Sequence, residues 1–276
     1  MKIALLLFFL FVPIFSYSMR WWIIKRSGEE LVPLDRELLS AILSSILSMP
    51  ILLGVQIARF ICPLKSSAGP EAGTPVVFVH GLYHNPSAWR RIYPELKKHG
   101  VGGVRFVSYN SLTRTFHEAA LEVVEKTLAL SSENGQPCVL IGHSLGGLIS
   151  RYAAAHPDLE GKVKGVITLA TPHRGSDLAV VALGALGRSL RPGENCIADE
   201  VNNVELAPNI AKYSLYTQHD NMVMPQSKMI VPERIAQREQ WNEVKITGLC
   251  HVGVLYRRSS ISAVCDAFSR IVSAGH

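Results

Sequence analysis

Cysteine is scarce, with five in 276 residues, and neither glycine (21) nor proline (15) is abundant. These levels exclude a collagen-like chain, a low-complexity disordered chain and a small disulfide-stapled scaffold. No Walker-type or dinucleotide-binding glycine pattern occurs, so neither a nucleotide nor a redox cofactor is expected. No internal repeat and no long low-complexity tract stands out. The formal charge of +6 divides evenly between residues 1–65 and the remainder, and no basic stripe marks the latter. Nucleic-acid binding is therefore not expected.

Apolar residues are plentiful and unevenly placed. They make up 40 of the first 65 residues, roughly 62%, against about 44% of the 211 that follow. Residues 3–18, IALLLFFLFVPIFSYS, lie after Lys2 and before Arg20, Lys25 and Arg26, the layout of a secretory signal or a first span. Residues 38–58, LLSAILSSILSMPILLGVQIA, carry no formal charge, and such a run is about long enough to cross ~30 Å of hydrocarbon. If both runs span, the short loop with Arg20, Lys25, Arg26 and Arg36 stays cytoplasmic and the downstream domain lies on the non-cytoplasmic side, periplasmic or extracellular. Cleavage of the first run sends the domain to the same side, with the second run as anchor. Trp21 and Trp22 suit an interfacial belt. Pro50 and the serines weaken the second span, which leaves an amphipathic or core-packed helix as the alternative. Both readings make the chain membrane-associated. A linker, SSAGPEAG, follows at 66–73, so the expected organisation is a membrane segment 1–65, this linker, and a folded domain 74–276.

In that domain, short β-rich runs alternate with helical patterns. Strands are expected at Pro75–His80, Gly103–Tyr109, Cys138–Ile141, Val163–Ala170, Tyr213–Tyr216 and Val244–Leu249. Helices are expected at Ser87–His99, Thr115–Ser131, Leu145–His156 and Ser260–Ser273. The alternation predicts an α/β fold, a mainly parallel sheet flanked by helices, with functional residues just beyond the strands' C-terminal ends. Residues 177–208 fit the alternation poorly and read as a crossover helix and loop or as a small cap whose apolar character suits an acyl chain.

The strongest local signal is CVLIGHSLGGLISRYAAAH, where a strand runs through Gly142-His143-Ser144-Leu145-Gly146 into a helix. This is Gly-x-Ser-x-Gly in the strand-turn-helix setting of a nucleophile elbow. Side chains at Gly142 and Gly146 would collide with the neighbouring strand and helix in so sharp a turn. The turn projects the Ser144 hydroxyl above the sheet, with a helix N-terminus aimed at developing negative charge. A serine hydroxyl needs a histidine base and a carboxylate to orient it, in the chain order Ser, Asp/Glu, His. Of His156, His173, His219, His251 and His276, the best placed is His251, at the end of VKITGLC. Asp220 closes the strand-like YSLYTQHD, whereas Asp177 and Asp199 fall in the cap region and Asp266 in the terminal helix. The oxyanion donors are expected from the backbone N–H groups of Leu145, just after the nucleophile, and Leu82, in the loop of VVFVHGLYHNPSAW.

At these residues the chain resembles the α/β-hydrolases of the bacterial lipase/esterase type: VVFVHGLYHNPSAW, IGHSLGG, ITLATPHRGSDLA, QHDNMV and LCHVGVL cover nearly all of residues 74–273. The resemblance implies a catalytic triad of Ser144, Asp220 and His251, with His143 shaping the elbow and His80 supporting the oxyanion loop. It also raises a Cys196–Cys250 disulfide between cap and histidine loop, and calcium near that loop; no convincing carboxylate cluster is present, so no metal is expected. The implied function is hydrolysis of carboxylic esters of apolar or lipid-like substrates. The alternatives are an acyltransferase or lipid deacylase using the same triad, or a noncatalytic hydrolase-like binding module.

Overall fold

Six apolar runs pair into one fully parallel sheet in the computed structural model, which describes residues 2–31 and 33–274, without the side chains of residues 2–8. The side chains opening the first apolar run, and His276, thus lie outside the described residues. Helices α1 (Lys2–Ser27) and α2 (Arg36–Ile61) come first. The sheet then alternates with helices: β1 (Thr74–Val79), α3 (Ile92–Lys97), β2 (Val101–Val107), α4 (Phe116–Asn134), β3 (Cys138–His143), α5 (Leu145–Ala154) and β4 (Val163–Leu169). Next come α6 (Gly184–Arg188), α7 (Ile197–Asn203), β5 (Ala211–Thr217), α8 (Glu233–Glu239), β6 (Asn242–Ile246) and α9 (Arg258–Ser273). All six expected strands are present, each within a few residues of its expected bounds.

The strand order is β2-β1-β3-β4-β5-β6. The chain steps outward from β1 to β2, then returns to the other side of β1 for β3, which opens a crevice beyond the C-terminal ends of β1 and β3. Alternate residues of one strand feed two cores. Val77, Val79 and Leu140 pack under α4 and α5. Val76, Phe78 and Ile141 pack under α3 and α9 with Trp89 and Phe268. Burial on both faces explains why β1 and β3 read as continuous apolar runs rather than alternating ones. The start of α4 carries a capping box: the Glu118 N–H donates to Thr115 Oγ1 (3.3 Å) and the Thr115 N–H to the Glu118 carboxylate (2.8 Å), a device worth about 1 kcal/mol.

The N-terminal helices do not stand apart from this domain. α2 begins at Asp35, whose carboxylate accepts the Leu38 N–H at 2.8 Å, and continues unbroken through Pro50. Its two faces differ. Ala41, Ser44, Ser45, Ser48 and Met49 are buried, while Leu39, Leu43, Leu47 and Ile51 form an exposed stripe at helical spacing. Among the described residues, α2 is the one helix long and apolar enough to cross a membrane. It nevertheless contacts the hydrolase-like domain along most of its length. Ser40 Oγ donates to Gly248 O (3.1 Å), Gln56 Nε2 donates to Tyr83 O (3.1 Å), and Ala58 O accepts from Arg90 (3.4 Å). The stretch 66–73 is also tied down: the Ser67 N–H donates to Val104 O at 2.9 Å and Ser67 Oγ accepts the Val104 N–H at 2.8 Å.

Candidate active site

The loops after β1, β3, β5 and β6 bring Leu82, Ser144, Asp220 and His251 to one edge of the sheet. Ser144 sits between β3 and α5 at φ 54, ψ −126, a strained backbone for a residue bearing a Cβ. The turn closes through bonds from the Ser144 N–H to Leu169 O (2.8 Å) and from the Gly147 N–H to Ser144 O (2.9 Å). A Cβ on Gly142 would strike the Gly146 backbone, and one on Gly146 would strike the carbonyls of Val79 and His80. The glycines therefore let β1, the elbow and α5 approach as closely as they do. A Cβ on Gly81 would lie 2.9 Å from that of Ser144, so the loop after β1 rests directly on the elbow.

Asp220 and His251 meet at 2.7 Å, Oδ2 to Nδ1, both nearly inaccessible. Asp220 Oδ1 accepts the N–H groups of Met222 (2.7 Å) and Val223 (2.8 Å), so the carboxylate is held at both oxygens. A proton on Nδ1 directed at Asp220 leaves the Nε2 lone pair of His251 free. Ser144 and His251 line one cavity of about 460 Å³. Among the described contacts the Ser144 hydroxyl makes no hydrogen bond to the ring.

The N–H groups of Leu82 and Leu145 have no partner among the described backbone bonds. Leu145 is the first residue of α5, where an N–H has no intrahelical acceptor, and Leu82 lines the cavity. Tyr83, beside it, is held at φ 57, its N–H donating to Ser111 Oγ at 2.8 Å. Its hydroxyl meets Leu183 at 2.7 Å, tying the loop after β1 to the segment 177–208. That segment folds into a short 3-10 turn, α6 and α7. Leu178, Ala179, Val181, Leu183 and Leu190 line one side of the cavity.

Several buried histidines frame the site. His143 donates Nε2–H to His251 O at 3.2 Å, which pins the His251 loop to the elbow. Burial pushes His143 well below the usual imidazole range and lowers His80 to about 3 and His84 to about 4. All three are therefore neutral near pH 7. His80 donates Nδ1–H to Gly81 O at 2.9 Å, and its own carbonyl accepts the Tyr109 hydroxyl. Among the described residues, His156, His173 and His219 do not pair with a carboxylate at this edge. His173 is buried between Arg151 (3.0 Å) and Ser214 (3.0 Å), and His156 accepts the Asp158 N–H. Asp177 pairs with Lys228 at 2.7 Å.

The Cys196–Cys250 disulfide that the resemblance raised, and the sequence left open, is not formed, and both cysteines are free. The Cys250 sulfur points at α2, with Ser44 Oγ at 3.6 Å and Ser48 Oγ at 3.8 Å, whereas the Cys196 sulfur turns toward Leu190 O. Among the described residues no group of three or more His, Cys, Asp or Glu side chains is placed to hold a metal ion.

The motifs of the sequence do not disclose how far α1 and α2 support Asp220 and His251. Arg20, only 5% exposed, donates Nε–H to Asp220 O (3.0 Å) and Nη2–H to Gln218 O (3.0 Å). The Tyr17 hydroxyl donates to His219 O at 3.1 Å. Asn221 accepts the His251 N–H at 3.2 Å and donates to Ser16 Oγ (2.7 Å) and Ser45 Oγ (3.3 Å), bridging the His251 loop to both helices. One signal for this was present: Arg20 stands between the apolar run 3–18 and Trp21-Trp22-Ile23-Ile24, and a charge set among apolar residues marks a position with a specific task.

A sequence model of the alpha/beta hydrolase family matches residues 76–231, more than half of the chain. A Burkholderia plantarii triacylglycerol lipase is 35% identical over 130 residues, 42% of this chain and 35% of that protein. A Candida albicans GPI inositol-deacylase is 28% identical over 127 residues, 37% of this chain and 31% of that protein. The chain thus spans about a third of the length of these relatives. A mature Bacillus licheniformis lipase superposes with a TM-score of 0.59 at 18% identity, covering 75% of this chain and 96% of that one, a likeness of fold. With the parallel sheet and the elbow between β3 and α5, the family match places this chain in the alpha/beta hydrolase family.

Proposed function

We propose that the protein is a serine hydrolase that cleaves carboxylic esters of apolar, lipid-like substrates through an acyl-enzyme on Ser144. His251 Nε2 takes the Ser144 proton as Oγ attacks the ester carbonyl carbon. Asp220 fixes the ring and stabilises the imidazolium, and the N–H groups of Leu82 and Leu145 receive the oxyanion. Collapse of the intermediate expels the alcohol, which leaves with the proton from Nε2. Water then gives a proton to His251 and attacks the acyl carbon, which releases the acid and returns the proton to Ser144. The observation that carries this reading is the 2.7 Å Asp220–His251 contact, opening on the same apolar cavity as an elbow serine at φ 54. The similarity to triacylglycerol lipase supports an acyl ester as substrate. A fluorophosphonate probe should label the wild type and not Ser144→Ala; equal labelling of both would refute the assignment.

A second reading has its own support. The similarity to a GPI inositol-deacylase is compatible with removal of an acyl group from a larger lipid head group. It shares every step up to the acyl-enzyme, and product analysis with competing alcohols separates water from another acceptor.

We further propose that the protein is attached to a membrane through α1 and α2 lying against the domain rather than crossing a bilayer alone. α2 is roughly 39 Å long at 1.5 Å per residue, and it bonds to the domain from Ser40 to Ala58. Its exposed leucine stripe would face lipid. Lys2 followed by the apolar run 3–18 is the layout of an export segment and supports the non-cytoplasmic side. Protease protection in intact cells tests that placement, and carbonate extraction tests whether attachment is integral.

A further inference from the structure

The cavity holding Ser144 is not closed by the hydrolase-like domain alone. One wall is the 177–208 segment, with Val181 and Leu183; the facing wall is α1, with Phe11, Val12 and Phe15, and Leu52 of α2 also contributes. Phe11 and Phe15 lie one turn apart with ring centroids 5.8 Å from each other, a continuous aromatic surface along the helix. Both walls are apolar, and their outer residues remain open: Phe11 is 62% exposed and Leu183 is 69% exposed. Ser144 and His251 open into this cavity, whose other polar lining residues are Ser16, Tyr83, His84 and Ser176, while the rest of the lining is apolar. An ester with its carbonyl at Ser144 must therefore run its acyl chain between α1 and the cap, toward the exposed apolar rim.

We propose that α1 is the specificity wall of this site, with Phe11 and Phe15 setting which acyl chains are cleaved. The inference rests on the ester-hydrolase reading above and extends it to residues outside the family match. The occupant is a fatty acyl chain, since both walls offer apolar contact and, among the described residues, no lysine or arginine that would recognise a charged tail lines the cavity. A bilayer lipid could enter by the rim without its chain crossing water. The wall exists only while α1 is retained, so a first segment removed as a signal would abolish it.

The test uses the full chain extracted in detergent and a series of p-nitrophenyl esters from acetate to palmitate. Phe15→Trp narrows the slot from α1, and Leu183→Trp narrows it from the opposite wall. Each should lower the ratio of long-chain to short-chain kcat/KM about tenfold or more, the range that poor fit in an apolar pocket produces. Ile14→Trp, on α1 but not lining the cavity, should keep the ratio within about twofold. Two independent variants keep the test decisive if one fails to fold. An unchanged ratio in both, with Ser144 still labelled by the fluorophosphonate, overturns the wall and leaves ester hydrolysis standing. Loss of that labelling in the wild type overturns the hydrolase reading first. A purified active chain whose intact mass lacks residues 9–18 also overturns the proposal.

Discussion

The two halves of the site are supported differently. The elbow carrying Ser144 draws on the sheet and its crossover helix: its glycines pack on Val79 and His80, and its backbone bonds run to Leu169 and within the turn. The loops carrying Asp220 and His251 lean instead on helices about 200 residues away in sequence, through Tyr17, Arg20, Ser16 and Ser45. Ser144 is thus held by the strands and crossover helix that flank its turn, whereas Asp220 and His251 sit on loops that lean on α1 and α2 as well.

The largest effects should come from the chemistry itself. Ser144→Ala should lower kcat by at least about 10⁴-fold, the scale on which hydrolases of this chemistry lose rate when the nucleophile is removed. Asp220→Asn should cost about 10³–10⁴-fold, because an amide no longer holds the ring with its proton on Nδ1. Steady-state kinetics on a soluble short ester checks both.

The next variant asks whether the comparison holds. Arg20→Met removes the two bonds to the Asp220 loop and should lower kcat about 10- to 100-fold with KM little changed, since misplacing a catalytic group by about 1 Å costs on that order. Arg20→Lys should recover part of the loss. Equal kcat for wild type and Arg20→Met would mean that the Asp220 loop stands without α1, and the contrast between the halves would disappear.

The smallest effect concerns the elbow side. His80 and His84 are held neutral by burial, at about 3 and about 4, and His143 is pushed in the same direction. A depressed folded-state value means the unfolded chain binds the proton first. Their contribution is therefore complete above about pH 6.5 and is lost as the pH falls from there toward the folded values. Each such histidine should cost about 1.4 kcal/mol per pH unit within that window. Melting temperatures between pH 7 and pH 5 should fall, and a flat or rising curve would contradict the burial.

Most of the sheet and elbow was legible because the signals are local. The GHSLGG turn follows from steric needs of adjacent residues, and the buried strands announce themselves as apolar runs. Asp220 and His251 were legible from strand exits and chain order. The support from α1 and α2 was not. Apolar residues at 3–18 and 38–58 read identically whether they face lipid or a protein wall, and Ser44, Ser45 and Ser48 weaken a span without naming a partner. The free Cys196 and Cys250 show the same limit, since their sulfurs face different neighbours that spacing does not reveal. Arg20 was the one visible clue, a charge that an apolar helix retains only for a partner.

The central claim is that ester cleavage passes through a covalent acyl group on Ser144. Mixing the full-length protein with a slowly turned-over ester, quenching in acid and mapping peptides by mass spectrometry tests it directly. The account predicts the acyl mass on the peptide containing Ser144, with no adduct in Ser144→Ala. Turnover with the acyl group on another residue, or sustained in Ser144→Ala, would contradict it.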